Sequence, residues 1–324
     1  MIKRVPEPIL GDAATAPPIK RGQWKKRCSE SGVHFFDRMT GLNILFDEAS
    51  VPKSLYARAP RQLSIALTYR CDLACAHCYA PKSPDQLRYK DVAGWLTEVD
   101  LHGTLGVGFG GGEPTLHSDF VKLCQYAERH TQLSVSFTTH GHHIDGDLAD
   151  RLRGSVHFIR VSMDGVGSTY EAIRGRPFPK LLAHLSHVQS ISRFGVNVVI
   201  NERTLPDLDQ AATVAADAGA CEMLLLPQIP VRSVSAIETH TLLGLRRWVQ
   251  SYKGPLKLCI NASCAEGFST CDPLASECGV RAYAHIDATG TLKPSSYHST
   301  GVPIGEFGVL QALDKLTNDS AEKA

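Results

Sequence analysis

The sequence has almost no excess of either charge: 34 Lys plus Arg stand against 33 Asp plus Glu, leaving +1 over 324 residues. No global field draws in nucleic acid or an anionic membrane surface. Long apolar runs are missing as well. Stretches such as Met223 to Leu226 and Val196 to Ile200 are the length of buried strands, far below the ~18 residues of a membrane span. The first 27 residues carry Lys3, Arg4, Lys20, Arg21, Lys25, Lys26 and Arg27, with prolines where a signal peptide needs its apolar core. A soluble, cytoplasmic protein is expected, with neither membrane nor nucleic acid as partner. In such a compartment the 10 cysteines read as metal ligands rather than disulfides.

An apolar content of 43% supports a large core. Residues 1–62 read as a basic, partly ordered N-terminal arm. It has a short hairpin, Val33 to Phe36 with Asn43 to Phe46, around Thr40-Gly41. Its basic excess reads mainly as solvated surface. From Leu63 short β-branched or apolar runs alternate with helical stretches, as parallel βα units require. Strands are predicted at Leu63 to Leu67, Leu105 to Phe109, Leu133 to Thr138, Val156 to Ser162, Val196 to Ile200 and Glu222 to Leu226. Helices are predicted at Tyr89 to His102, Asp119 to Arg129, Asp147 to Arg153, Lys180 to Phe194, Leu205 to Ala218 and Glu238 to Tyr252. The fold class is α/β, a partial (β/α)6 TIM-like barrel over 63–254 with its chemistry at the carboxyl ends of the strands. Residues 255–324 read as a small loop-rich module, with a hairpin of Ala282 to Asp287 and Thr291 to Pro294 and a mobile polar tail after Leu313.

Three motifs carry chemistry. Cys71-x3-Cys75-x2-Cys78 follows the first strand, and three soft thiolates on one loop suit an iron–sulfur cluster with one iron left open. A zinc knuckle and a redox CxxC are the alternatives. Gly110-Gly111-Gly112-Glu113-Pro114 ends the second strand, where glycines admit a ligand to the backbone and a carboxylate meets an ammonium. Gly106, Gly108 and Gly111 also spell GxGxxG, but inside a strand and without the context of a dinucleotide fold. Cys259, Cys264, Cys271 and Cys278 place four thiols within 20 residues and should share a metal, with zinc as the alternative. Cys28, Cys124 and Cys221 are isolated and read as small apolar residues or free thiols. His140, His142 and His143 cluster at a strand end and read as polar loop residues.

CxxxCxxC after strand one and GGEP after strand two together resemble the radical S-adenosylmethionine (SAM) superfamily. Thr138-Thr139-His140-Gly141 is similar to its TTNG turn, with His for Asn. Ser162-Met163-Asp164-Gly165 and Ile173-Arg174-Gly175 are similar to its SxDG and IRG segments. The resemblance implies that Cys71, Cys75 and Cys78 hold a 4Fe-4S cluster whose open iron chelates SAM. His77 and Tyr79 would meet the adenine, and Gly112 and Glu113 the methionine ammonium. Ser162 and Arg174 would hold the carboxylate, and Thr138 or Ser136 the ribose, with Asn201 a further cofactor-binding candidate. An external low-potential donor would reduce the cluster. SAM would then yield a 5′-deoxyadenosyl radical that takes a hydrogen atom from a substrate carbon.

Cys278-Gly279, the Ile286-Asp287-x2-Gly290 hairpin and Pro303-Ile304-Gly305 resemble the SPASM or twitch extension of that superfamily, although Ser295 stands where a second cysteine belongs. One auxiliary 4Fe-4S cluster is implied, on Cys264, Cys271 and Cys278, with Cys259 completing the set or free. The implied substrate is a small molecule, such as a nucleoside or sugar in natural-product biosynthesis, and next to it a short ribosomal peptide. A non-catalytic zinc or redox module is the remaining alternative.

Overall fold

The structure is a computed structural model that describes residues 23–231, 234–271, 274 and 277–321. Lys3, Arg4, Lys20 and Arg21 of the arm lie outside those residues. In chain order the elements begin with three strands, β1 (Trp24–Ser29), β2 (Gly32–Asp37) and β3 (Asn43–Phe46). The βα alternation follows as β4 (Gln62–Thr68), α1 (Tyr89–Leu101), β5 (Gly106–Gly111), α2 (Phe120–His130), β6 (Ser134–Thr139), α3 (Gly146–Leu152) and β7 (Phe158–Ser162). It continues through α4 (Gly167–Arg174), α5 (Phe178–Ile191), β8 (Phe194–Ile200), α6 (Leu208–Asp217), β9 (Glu222–Pro227) and α7 (Thr239–Ser251). The last elements are β10 (Lys257–Ile260), α8 (Gly279–Ala282), β11 (Tyr283–Ile286), β12 (Thr291–Lys293), β13 (Val302–Pro303) and α9 (Gly308–Ala321).

Ten strands form one sheet in the order β10-β9-β8-β7-β6-β5-β4-β11-β12-β13. Pairing is parallel from β10 to β11 and antiparallel beyond it. This is the α/β architecture of an open, TIM-like barrel, with all six predicted strands adjacent and in sequence order. Alternate residues explain its two faces. Leu63, Ile65, Val107, Phe109, Val135, Phe137, Ile159 and Val196 belong to the main core shared with the helices. Ala66, Tyr69, Ala80 and Ala288 form a second cluster with Cys78 and Tyr79 packed against it.

Four expectations about the fold need correction. Residues 24–46 of the arm are an antiparallel sheet rather than irregular chain, and the predicted hairpin is its β2–β3 half. Its basic residues are not all solvated: Lys25 and Arg27 are buried, Lys25 2.5 Å from Asp100 and Arg27 paired with Glu277. A count of charges could not reveal partners 75 and 250 residues away. The described residues after Leu313 continue helix α9 rather than a polar tail: α9 buries Leu313 and Leu316, and Glu98 caps its start through the Val309 and Leu310 amides. The strand forecast also missed β10, which adds to the sheet beside β9 past residue 254.

Candidate active site

The carboxyl end of β4 leads into the cysteine loop, whose base is closed by a bridge between Thr68 and Gln86 and by the Tyr69 N–H on the Asp85 carbonyl, 2.9 Å. Within it the Cys78 amide donates to the Cys75 carbonyl at 3.1 Å, and the Leu73 amide to Cys71 Sγ at 3.4 Å. Cys75 is buried, Cys71 and Cys78 are half-buried, and all three thiols are free. Burial pushes the Cys71 thiol up, with the Leu73 amide and Lys82 opposing. Since thiolates are the ligands, metal would have to offset that cost.

The end of β5 lies directly against this loop. The Gly112 amide donates to the Thr68 carbonyl at 2.7 Å and the Glu113 amide to the Arg70 carbonyl at 2.8 Å. The approach is so close that a Cβ on Gly112 would stand 2.2 Å from the Arg70 oxygen, while Gly111 takes φ +114°. Glu113 is buried and its carboxylate is already in use. Oε1 accepts from the Thr115 amide and hydroxyl and from the Thr139 hydroxyl (3.2, 2.7 and 2.9 Å), and Oε2 from the His140 amide at 2.9 Å. This side chain therefore laces β5 to the turn after β6.

Arg174, on the last turn of α4, reaches the same place. Its Nη2 is 2.5 Å from Asp164 Oδ2 and its Nη1 3.7 Å from Cys75 Sγ, while its buried Nε has no hydrogen-bond partner. Asp164 also meets His77 Nε2 at 3.1 Å and accepts from the Val199 amide at 2.7 Å. Burial works against ionising this carboxyl, but Arg174 first, then His77 and the Val199 amide, hold it below the usual range. The same Asp164 keeps Arg174 charged despite its burial.

Beside the loop opens a cleft of about 440 Å³, lined by Ala74, Ala76 and His77, by Ala172 and Ile173 of α4, and by Asn201, Gln228 and the 234–238 segment. Asn201 Nδ2 donates to Gln228 Oε1 at 2.9 Å, and its Oδ1 accepts the Arg203 and Thr204 amides. It is thus both a turn residue and a cleft residue. Glu202 and Glu238 line it as well, and with His240 their ligand atoms lie within 4.8 Å of one another, all exposed.

The structure brings most of the expected set, Cys71, Cys75, Cys78, His77, Gly112, Glu113 and Arg174, to the adjoining ends of β4 and β5 and the last turn of α4. Ser162, Ser136 and Thr138 are half-buried on β7 and β6, with Ser136 Oγ donating to the Val107 carbonyl at 3.1 Å. Tyr79 does not line the cleft: its ring packs edge-on to Tyr297 at 5.1 Å. His140 and His142 are buried rather than loop surface, and burial followed by His140 brings His142 down to about 4. Sequence reasoning passed over Asp164, although it lies in the quoted SMDG motif, and Gln228, which no local signal marks.

Among the C-terminal cysteines, Cys259 is on the edge strand β10 beside Glu222, and burial, then Glu222, pushes its thiol up. Cys264 ends a 3-10 turn, Cys271 is exposed, and Cys278 is the residue before α8. Tyr297 lies within electrostatic reach of both Cys264 and Cys78.

A parallel α/β barrel with three free thiols after its first parallel strand defines a class. Residues 65–211 match the radical SAM superfamily, a span that includes the three cysteines of the loop, the GGEP segment and Arg174. Among similar proteins, the mycofactocin maturase MftC of Mycobacterium tuberculosis (strain CDC 1551 / Oshkosh) is 34% identical over 170 residues, 50% of this chain and 43% of that protein. The AdoMet-dependent heme synthase of Methanosarcina barkeri (strain Fusaro / DSM 804) is 24% identical over 222 residues, 64% of this chain and 62% of that protein. The chain spans less than half the length of the mycofactocin maturases it matches. Streptococcus suis SuiB bound to precursor peptide SuiA shares the fold with a TM-score of 0.69 at 13% identity, over 89% of this chain and 86% of that one. No helix among the described residues is long and apolar enough to cross a membrane.

Proposed function

We propose that the chain is a radical SAM enzyme, with a 4Fe-4S cluster on Cys71, Cys75 and Cys78 and SAM bound between that loop and the end of β5. The observation that carries the reading is three free thiols on a loop locked to the GGEP strand, with an incompletely partnered buried guanidinium beside Cys75 and a cleft alongside. The donor set fits the group: soft thiolates for iron, and a planar cation aimed where a carboxylate would lie. When bound, the cluster and SAM supply one-electron cleavage of the sulfonium C–S bond to methionine and, after hydrogen-atom transfer from a substrate carbon, 5′-deoxyadenosine.

The chain's own residues then have distinct tasks. Asp164 orients Arg174 and His77, so the guanidinium presents its remaining N–H groups to an anionic ligand. Gly111 and Gly112 leave room for backbone to reach an ammonium, and Glu113 holds that backbone in place. Ala172, Ile173 and Ile237 supply apolar walls, while Asn201 and Gln228 give the cleft fixed amides to orient a substrate. Ser162, Thr138 and Ser136 remain the ribose and carboxylate candidates.

We further propose a single auxiliary 4Fe-4S cluster on Cys264, Cys271 and Cys278, with Cys259 of β10 completing the set or free. A short peptide is the substrate reading supported best, because relatives by sequence are named as maturases and the SuiB fold was solved with a precursor peptide. The small-molecule reading keeps the support of the GTP 3′,8-cyclase of Caulobacter vibrioides, 27% identical over 211 residues.

The test is anaerobic iron–sulfur reconstitution followed by dithionite and SAM. Release of 5′-deoxyadenosine that Cys71→Ala abolishes is expected; an intact sulfonium together with bound zinc would overturn the reading. Iron near eight rather than four atoms per chain, by the count of two [4Fe-4S] clusters, tests the auxiliary site.

A further inference from the structure

The turn after β6 carries His140 where the resembled motif has asparagine, and its side chain does more than cap the turn. Nδ1 accepts the His142 amide at 3.1 Å, which leaves the ring proton on Nε2. That Nε2–H donates to Asp72 Oδ1 at 2.9 Å and lies 3.4 Å from Glu113 Oε2. Asp72 is the residue after Cys71. Its other oxygen accepts from Arg176 Nη2 at 2.9 Å and lies 3.2 Å from His143 Nε2. Cys71 Sγ, the Asp72 carboxylate and the His140 ring are all within 4.8 Å of one another.

These three grips are unequal. Arg176 and His143 are 41% and 36% exposed, so their pairing with Asp72 is screened and weak. The His140 side chain is 3% exposed, and a bond from a buried ring to a carboxylate is among the stronger kinds. An asparagine amide ends near the level of the ring's Nδ1 and does not span to Asp72; a glutamine amide reaches the level of Nε2.

We propose that His140 is a positioning residue: by holding Asp72 it fixes Cys71 against the β5 and β6 strand ends and sets how firmly the loop retains iron. The inference rests on the functional reading above, in which Cys71 is a cluster ligand. Partners that orient a metal ligand typically change metal retention by ~10 to 100-fold.

The test uses the full chain, reconstituted anaerobically, as wild type, His140→Ala, His140→Asn and His140→Gln. Iron release to an excess of a ferrous chelator is timed, low-temperature EPR of the dithionite-reduced protein is recorded, and the urea midpoint of each apo-protein is measured alongside. His140→Ala and His140→Asn are expected to lose iron about tenfold faster with an altered EPR signal. His140→Gln should return to within about threefold of wild type by restoring the same hydrogen bond. Wild-type release rate and EPR line shape in His140→Ala would overturn the inference. If that variant does not fold, equal rates for His140→Asn and His140→Gln overturn it equally. A wild-type chain that takes up no iron would sink the functional reading and this inference together, whereas iron uptake with identical release in all variants sinks this inference alone.

Discussion

Replacing Gly112 by alanine tests whether the cysteine loop depends on backbone contact with the end of β5. The added Cβ would lie 2.2 Å from the Arg70 carbonyl oxygen and 2.7 Å from both its carbon and the Tyr69 oxygen. Relief to an ordinary contact needs a movement of about 1 Å, in a region packed like a crystal. The neighbouring hydrogen bonds, Gly112 N–H to Thr68 at 2.7 Å and Glu113 N–H to Arg70 at 2.8 Å, cannot both survive that shift. One lost bond costs about 1 kcal/mol and the overpacking about 1 to 3 kcal/mol, so a loss of about 2 to 4 kcal/mol is expected. Gly110 is the control, because nothing lies within 4 Å of its Cβ position, and Gly110→Ala should stay within about 0.5 kcal/mol. Urea unfolding of the apo-protein, followed by circular dichroism, reads the stability; iron per chain after reconstitution reads the loop. Equal midpoints and equal iron for the two variants would refute the reasoning.

Other perturbations reach different parts of the molecule. Glu277→Ala would strand Arg27, both side chains being 2% exposed, and should cost about 3 to 5 kcal/mol in urea unfolding. Asp164→Asn removes the charge that orients Arg174, and SAM binding to the reconstituted protein, by equilibrium dialysis, should weaken about tenfold, a ~1.4 kcal/mol effect; unchanged binding would separate Asp164 from the SAM site. His285 is buried on β11 and burial brings its pKa down to about 4. The unfolded chain therefore takes up the proton first, so this contribution is complete above about pH 6.5 and fades as pH falls toward 4, by about 3 kcal/mol in all. His285→Gln should flatten that slope in urea midpoints measured between pH 7.5 and 4.5.

The six βα units were legible because each strand and helix announces itself locally, by period and by flanking turns. Most boundaries moved by one to three residues; Phe194, read as the end of a helix, starts β8, and α4 went unseen inside a stretch read for its motif. Pairing between distant segments was not legible. Nothing in Tyr283 to Ile286 says that it lies beside Gln62 to Ile65, or in Lys257 to Ile260 that it extends the sheet past β9. At the site, the sequence places the candidate residues at strand ends, whereas the direction a side chain takes was not legible. Tyr79 follows Cys78 in sequence yet packs against Tyr297, and Asp72, between Cys71 and Cys75, meets His140 from 68 positions further on.

The position of β11 next to β4 carries a kinetic consequence. The strand that launches the cysteine loop gains its second neighbour only from residues 283–286, more than 200 positions later. During ribosomal synthesis β4 must wait with one flank bare, a slow and aggregation-exposed arrangement of the kind that distant parallel pairing imposes. A chain cut before residue 283 would keep the three cysteines of the first loop and still lack the strand that pairs with β4 on that flank.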